Sequence, residues 1–443
     1  MLKLNDWRFL SASFLLILCS ISLPLKADLR TASIKYHSGD FQQALGEFNQ
    51  LASLGNKDAI YNIAVMYLHG QGVSKDLPTA YAWFTLAAEY GLDEARSAAK
   101  LIEQQVKDID SLAKAVAQLK LEFDSKHYKN TLLPQFNLKP FVLPKPSYHV
   151  DAPYPQAAKE QGLEGWVWLE FDVDDKGAVT DVDIIDAYPD KTFNRSIYNA
   201  LRRWRYSAED KSSQPPSAWQ LVHHFTTFKG KRYEASFSLQ KRQYQQQINQ
   251  LIERAEQGSA LVQYHIANWM MGNEHNATGL LKFHWAQPDA GQQLLLESAV
   301  NGFANAQYRL GVNLLNGNNV QAQRSKALNW IGYAAAQGFK YAQYRLALEL
   351  MDEQPDVAMD WLIKAAQHGH FRAMRDLIAR LINQQKFQQA QLWLTKALEV
   401  DDEHPQLWSS QSQLYQALGQ PQASVEAMNI AKEHATDRGW YLN

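Results

Sequence analysis

The sequence predicts a multidomain protein in which α-solenoid arms of helical repeats flank a small α+β domain with a three-stranded antiparallel sheet. Between about residues 154 and 228, apolar and polar side chains alternate, which is the two-residue period of strands with one buried face. On both sides of that region, small and aromatic residues recur with a period in the low-to-mid thirties, which is typical of stacked helix pairs. At 443 residues, the chain has the length of two to four domains.

The first 27 residues have the composition of an export signal. Lys3 and Arg8 give a weakly positive start, and Phe9 to Leu25 is uncharged and mostly apolar. As a helix, this apolar stretch would span roughly 26 Å, against a hydrocarbon core of about 30 Å. We therefore expect residues 1–27 to be a signal peptide that is cleaved after Ala27, with a retained membrane anchor as the alternative.

Residues 28–125 are predicted to form the first helical arm. Small side chains that let helices approach closely recur at Ala59, Ala64, Ala80, Ala87 and Ala88. Aromatic side chains that fill the gaps recur at Tyr61, Tyr67 and Trp83, and Gly70 and Gly72 are suited to end the first helix. This segment resembles a Sel1-like repeat, a relative of the tetratricopeptide helix pair. Residues 126–150 follow as a Pro-containing linker, because prolines at this density break helices and favour an extended connector.

The same spacing returns over residues 233–443, which predicts a second arm. Ala306 and Ala342 are 36 residues apart, and Trp361 and Trp393 are 32 apart. These units resemble Sel1-like repeats and, towards the end, tetratricopeptide-like repeats. A single helix pair cannot bury its apolar face, so neighbouring pairs stack into a curved surface of the kind that binds protein or peptide.

Residues 151–232 are predicted to form the sheet domain. From Val167 to Val173, inward apolar side chains alternate with outward Trp168, Glu170 and Asp172. Asp174 to Gly177 has the composition of a hairpin turn, and a second alternating strand runs from Val179 to Asp186. A third strand is predicted from Trp219 to Phe228. Between the second and third strands in sequence, a helix is predicted from a stripe of apolar side chains at Phe193, Ile197, Ala200, Leu201 and Trp204.

The ordered motifs of this domain resemble the C-terminal domain of the TonB family over roughly 75 of 443 residues. The motif positions, to which we assign structural roles, are Tyr154, Pro155, Gly162, Gly165, Gly177 and Trp204. The resemblance implies that the domain captures an extended segment of an outer-membrane receptor as an added strand. The third strand is then the candidate edge, with partner-binding candidates Trp219, Gln220, Val222, His224, Thr226 and Phe228. The alternative is that a repeat arm already covers this edge.

Three features depart from the energy-transducing members of that family. No histidine occurs before His37, so the membrane-helix histidine that meets the motor complex is absent. The long Pro-rich spacer is missing, and about 215 residues follow a domain that normally closes the chain. These departures argue against energy transduction and leave partner binding in place.

The sequence shows no pattern of a catalytic or metal site, so we predict a protein that is not an enzyme and has no cofactor and no small-molecule substrate. Asp172 to Asp183 faintly resembles a calcium loop, but Lys176 occupies a position that needs an oxygen ligand. A net charge of −2 gives no indication of nucleic-acid binding. The cluster of Arg202, Arg203 and Arg205 is interpreted as a solvated helix face rather than a phosphate or lipid site.

The leading hypothesis is a non-catalytic periplasmic protein whose partners are proteins, such as an outer-membrane receptor segment or other envelope proteins. The sheet domain would bind a strand-forming partner, and the helical arms would bind further proteins. One alternative is a TonB-type energy transducer that is anchored in the inner membrane and faces the periplasm. Another alternative is an enzyme, or an enzyme activator, of the cell envelope.

Overall fold

The computed structural model describes residues 28–140, 143–207, 219–226, 238–272 and 276–442. The predicted signal peptide over 1–27 and the candidate residue Phe228 lie outside the described residues. Among the helices that are described, none combines the length and the apolar character needed to cross a membrane.

Antiparallel helix pairs form the first arm, as the small-residue spacing predicts. The helices are α1 Leu29–Ser38, α2 Phe41–Ser53, α3 Lys57–His69, α4 Leu77–Glu89, α5 Asp93–Glu103, α6 Ile109–Lys120 and α7 Ser125–Thr131. Ala59, Ala64 and Ala80 are fully buried, so neighbouring helices approach closely at these positions. Gly70 ends α3 in the left-handed conformation, with φ of 73°.

The second arm continues the same architecture to the end of the described chain. Its helices are α10 Ser238–Glu256, α11 Ala260–Met270, α12 Asn276–His284, α13 Ala290–Val300, α14 Ala304–Asn316, α15 Arg324–Ala336, α16 Lys340–Leu350, α17 Pro355–Gln367, α18 Phe371–Asn383, α19 Phe387–Leu398, α20 Pro405–Ala417 and α21 Pro421–Arg438. Alanines at equivalent positions, such as Ala306 and Ala342, are fully buried.

The first arm and the second arm as far as α17 share one hydrophobic core, although the sheet domain separates them in sequence. That core runs without a break from Ala32 in α1 to Ala358 in α17. The later repeats have a core of their own, from Tyr344 to Leu414. Asn56, at the start of α3, donates a hydrogen bond of 2.6 Å to Asn301, and Trp330 of α15 donates one of 2.9 Å to the Leu132 carbonyl after α7. The arms therefore form a single helical solenoid, and the sheet domain is inserted between two of its helical segments.

The sheet contains three antiparallel strands in the order β2-β1-β3, which confirms the predicted α+β domain. The strands are β1 Gly165–Val173, β2 Val179–Tyr188 and β3 Trp219–Phe225. One sheet face packs on two short helices, α8 Gln156–Gln161 and α9 Asn194–Leu201. The predicted stripe of α9 is buried at Phe193, Ile197, Ala200 and Leu201, whereas Trp204 follows the helix and donates a hydrogen bond to the Val150 carbonyl.

Two glycines of the family motif hold this domain together where backbone segments meet. A Cβ on Gly165 would overlap the Tyr188 carbonyl and the Phe193 ring. Gly177 has a φ of +83°, and a Cβ there would overlap the Tyr206 carbonyl. Larger residues at either position would force β1 from β2, or the hairpin turn from the segment after α9.

The other face of the sheet corrects one expectation from the sequence. Trp168 and Glu170, predicted to point outward into solvent, are fully buried or nearly so, and Asp172 is half-buried. The alternation was correctly identified, but the second face of β1 packs against the solenoid and not against water. The sheet is thus a middle layer between its own helices and the repeats.

Candidate functional site: the sheet edge and the sheet–repeat interface

The predicted edge-strand residues divide between two faces of β3. Trp219 and Phe225 are buried in the core of the sheet domain. Gln220, Val222 and His224 point to the other face, towards the repeats. Thr226 directly follows the strand. The structure therefore does not gather the five described candidates on one open surface.

The side chains of β3 that face the repeats are engaged. Gln220 donates to Glu170 and accepts a hydrogen bond from Arg309. His224 Nε2 lies 3.0 Å from the Asn268 carbonyl oxygen in α11. These contacts hold β3 in register with β1 and against the solenoid.

The side-chain contacts of β3 do not involve the hydrogen-bonding groups of its backbone. β3 pairs with β1 in continuous antiparallel register from Gly165 opposite Phe225 to Phe171 opposite Trp219. Because β3 ends the strand order, its second edge has no partner strand among the described residues. Such an edge is a template for a further strand.

The repeats meet the sheet with residues from the first helices of successive pairs. Equivalent positions near the starts of α11, α14 and α16 carry tyrosines, namely Tyr264, Tyr308 and Tyr344, and α18 carries Arg372 and Arg375. In a solenoid, equivalent positions of successive repeats line one continuous surface. That surface is the one against which the sheet lies.

One half of the interface is aromatic. Trp166 of β1 meets Tyr264 edge to face, with ring centroids 5.7 Å apart, and Trp168 packs on Tyr308 at 5.6 Å. The guanidinium of Arg309 lies 4.7 Å from the ring centroid of Trp168. Offset and edge contacts of this kind stabilise aromatic pairs beyond the area that they bury.

The other half is a buried ion cluster around Arg372. This guanidinium contacts three carboxylates, at 2.8 Å to Asp183, 3.1 Å to Asp172 and 3.4 Å to Glu170. Arg375 lies beside it and pairs with Asp181 at 2.5 Å. Arg372, Glu170 and Asp181 are almost fully withdrawn from water, and Arg375, Asp183 and Asp172 are partly buried. The six side chains join the β1–β2 hairpin to α18.

A bulge in the hairpin places Asp181. The β1–β2 register shifts between Glu170 and Asp172, and Asp181 takes a left-handed φ of 49°. Its carboxylate therefore reaches both Arg375 and His404, whose Nε2 lies 2.9 Å away.

Burial and pairing shift the pKa values in the cluster in opposite directions. Burial alone raises the pKa of Asp181, but Arg375 and the hydrogen bond from His404 hold it well below its ordinary value. For Asp183, burial outweighs Arg372, and the pKa is raised. Burial, reinforced by Arg372, lowers the pKa of His370 well below its ordinary value, so this interfacial imidazole is neutral.

The arrangement fixes the sheet domain on the repeats. Each carboxylate of the cluster is already bonded to an arginine or a histidine. Within the described ranges, no group of three or more His, Cys, Asp or Glu residues could hold a metal ion.

Sequence reasoning missed Arg372, Arg375 and His404 as interface residues. Their sequence distance from the hairpin, about 190 to 220 residues, leaves no local signal. A usable signal was present in β1 itself, where two tryptophans, Trp166 and Trp168, occupy the face that was expected to meet solvent. Large aromatic side chains on one face of a strand predict that the face is covered.

Comparison with known proteins agrees with the two folds described above. Residues 151–225 match the family described as the Gram-negative bacterial TonB protein C-terminal domain. Sel1 repeats match at residues 57–91, 304–339 and 340–370. Both resemblances predicted from the sequence are therefore confirmed.

The similarity to individual proteins is confined to parts of the chain. The TonB protein of Yersinia enterocolitica is 42% identical over 55 residues, which cover 12% of this chain and 22% of that protein. The TonB protein of Escherichia coli is 45% identical over 53 residues, covering 12% and 22%. The chain thus spans about a fifth of the length of these relatives. A Sel1 repeat protein from Oxalobacter formigenes is 20% identical, with a TM-score of 0.36 over 44% of this chain and 82% of that chain.

Proposed function

We propose that this chain, which carries a TonB C-terminal domain within an array of Sel1 repeats, is a non-catalytic protein-interaction protein of the Gram-negative cell envelope. It acts in the periplasm and captures an extended segment of an envelope or outer-membrane protein as a fourth strand beside β3. The observation that carries the proposal is the terminal position of β3 in the order β2-β1-β3. Backbone hydrogen bonds along that edge supply affinity that depends little on the sequence of the partner.

Selectivity would come from what lies on the two faces of the added strand. Next to β3, one face carries the end of α11, where Gly272 lies so close to the His224 ring that a Cβ there would touch it. The other face carries the core side of the domain, around His223 and Phe225, whose rings are 4.8 Å apart. A captured strand would therefore meet a repeat helix with alternate side chains, which couples strand capture to the solenoid.

Other protein partners would bind the repeats on surfaces that the sheet leaves open. The surface formed by Tyr264, Tyr308, Tyr344 and Arg372 is occupied by the sheet itself. Exposed apolar side chains elsewhere, at Leu101, Ile109 and Leu121 in and beside α5 and α6, provide such a surface.

Paired proline variants test strand capture. Consecutive residues of a strand direct their N–H groups to opposite edges, so one of Leu221→Pro and Val222→Pro removes an outward donor and the other removes a donor to β1. We expect the variant with the outward proline to keep its fold and to lose binding of synthetic peptides that copy the periplasmic segments of outer-membrane receptors. Binding is measured by calorimetry and folding by thermal unfolding.

Amide hydrogen exchange on the unmodified protein provides the control for this test. A captured peptide should slow exchange at residues 219–226 and leave the α5–α6 region unchanged. Peptide binding without protection of β3, or equal binding by both folded proline variants, would contradict strand capture.

The proposed location is tested by the mature N-terminus of the protein made in a Gram-negative host. We expect a chain that begins near Asp28 in the soluble periplasmic fraction, because residues 1–27 have the composition of a cleaved signal. A chain that begins at Met1 and fractionates with the inner membrane would favour the anchored energy transducer instead.

A further inference from the structure

A basic concavity lies where the sheet domain meets the last helix of the solenoid. It has a volume of about 560 Å³ and is lined by Tyr148, Asn199, Arg202, Arg203, Arg205, Asp437 and Arg438. Three of the arginines follow or end α9, and the fourth ends α21. Four arginines from two domains therefore line the concavity, and Asp437 is the one acidic residue in the lining.

Backbone contacts hold two sides of this concavity in place. Tyr148 and Arg205 exchange backbone hydrogen bonds of 3.2 and 2.9 Å, which bring the linker against the end of α9. A Cβ on Gly439 would lie 3.0 Å from Arg205 Nη2, so the end of α21 is also in close contact. The arginines are thus positioned by the fold and do not merely project from one helix.

Two of the four arginines have ordinary structural roles. Arg205 donates to the carbonyls of Trp204 at 2.8 Å and Arg202 at 3.3 Å, at the end of α9. Arg438 makes two bonds to Asp401, at 2.7 and 2.9 Å. Cations at helix C-termini are stabilised by the partial negative charge there.

Arg202 and Arg203 are not explained in this way. Among the described residues, neither guanidinium pairs with a carboxylate, and the cationic contact of Arg202 is with the Tyr198 ring at 5.5 Å. Arg438 is already offset by Asp401, but Arg202, Arg203 and Arg205 line the same concavity with one lining acid, Asp437. An anion in the concavity would reduce the repulsion among these three positive charges.

We propose that this concavity binds a phosphate-bearing anion, either a soluble phosphate ester or the phosphate of a lipid headgroup. Planar guanidinium groups match the oxygens of phosphate with paired hydrogen bonds. Tyr148 and Asn199 add polar groups on the rim. The volume exceeds the size of one phosphate and lies in the range of small-molecule sites. Because both domains contribute arginines, the anion would also strengthen the contact of α21 with the sheet domain.

Calorimetric titration with inorganic pyrophosphate at low ionic strength tests the soluble source. We expect binding that weakens with added salt, and a loss of about tenfold or more in the double variant Arg202→Gln/Arg203→Gln. Arg195→Gln is the control, because it removes one positive charge from an exposed position on α9 outside the concavity; each of the single variants Arg202→Gln and Arg203→Gln, which remove one charge from the lining, is compared with it. Asp437→Asn should strengthen binding about two- to fivefold, a gain that misfolding could not produce.

Cosedimentation with vesicles tests the lipid source. Equal amounts of phosphatidylglycerol and phosphatidylcholine are compared with phosphatidylcholine alone. Sedimentation with the anionic vesicles that the double variant loses and Arg195→Gln keeps would assign the site to a lipid headgroup, even if pyrophosphate does not bind. Binding of neither probe, or equal binding of either probe by the double variant and Arg195→Gln, overturns the proposal.

Discussion

Gly177 is restricted by two independent requirements at a single position. The hairpin turn needs its positive φ of +83°, which side chains of L-residues adopt only with strain. The close approach of Tyr206, whose N–H donates a hydrogen bond of 2.8 Å to the Gly177 carbonyl, leaves no room for a Cβ. The first requirement is readable in the sequence as Asp174-Asp175-Lys176-Gly177, but the second depends on a residue about thirty positions later.

The substitution Gly177→Ala should therefore cost more than a matched substitution in the same domain. We expect Gly177→Ala to lower the free energy of unfolding by roughly 2–4 kcal/mol, since strain and overlap add. Gly162→Ala should cost about 1 kcal/mol, because Gly162 has a φ of +65° but nothing within 4 Å of a new Cβ. Urea unfolding followed by tryptophan fluorescence measures both. Equal losses would show that the contact with Tyr206 contributes nothing.

At the scale of the element, β1 is the central strand of the sheet and the main contact of the sheet with the repeats. It pairs with β2 on one edge and β3 on the other, and both of its faces are buried. Its inner face packs on α8 and α9, whereas its outer face supplies Trp166, Trp168 and Glu170 to the solenoid interface. Because neither face of β1 meets water, its charged side chains must be paired, as Glu170 is with Arg372.

The ion cluster at that interface should be sensitive to loss of its single central cation. Arg372→Ala leaves Glu170 buried, and Asp172 and Asp183 partly buried, without this guanidinium, so we expect a loss of about 3 kcal/mol in the free energy of unfolding. Arg324→Ala is the control, because Arg324 pairs with Glu349 and Glu353 near the surface, where such a pair contributes at most about 1 kcal/mol.

Chemical unfolding, read by circular dichroism and by tryptophan fluorescence, distinguishes these outcomes. Trp166 and Trp168 at the interface contribute to the fluorescence signal, so part of the fluorescence change should precede the change in circular dichroism in Arg372→Ala. An Arg372→Ala variant as stable as Arg324→Ala would mean that the cluster does not fix the sheet on the repeats.

At the scale of the whole molecule, the docking of the sheet on the solenoid should weaken in acid. His265 of α11 lies at the interface, with its ring centroid 4.8 Å from that of Tyr188 and 5.8 Å from that of Trp166. Burial, with a smaller contribution from Arg254, lowers the pKa of His265 to about 4. Its ordinary pKa is 6.5, so the unfolded chain takes up this proton before the folded chain does.

The contribution of His265 to stability is therefore complete above about pH 6.5 and declines as the pH falls towards 4. From pH 6.5 to pH 4, we expect the free energy of unfolding of the wild-type protein to fall by roughly 1–3 kcal/mol more than that of His265→Gln, which cannot take up a proton. Unfolding of both proteins in a pH series measures the difference. If the difference in free energy of unfolding between the two proteins stayed constant from pH 7 to pH 4, the interpretation of His265 as a neutral, buried side chain would be wrong.

The sequence by itself determined the parts whose information is local. Helix periodicity and small-residue spacing predicted the repeats, and two-residue alternation with turn residues predicted the hairpin and the sheet domain. Those patterns depend on neighbours within one or two turns of helix or along one strand, so they are visible in sequence order.

Only the tertiary structure decided how these parts are joined. It joined the first arm to the second, with Asn56 against Asn301, and it placed Arg372 among three carboxylates of a hairpin about 200 residues earlier. Such contacts depend on the stacking angle of each repeat summed over the solenoid, and no local pattern encodes that sum. For the same reason, the second face of β1 read as solvent-exposed in the sequence, whereas in the folded protein it is the interface with the repeats.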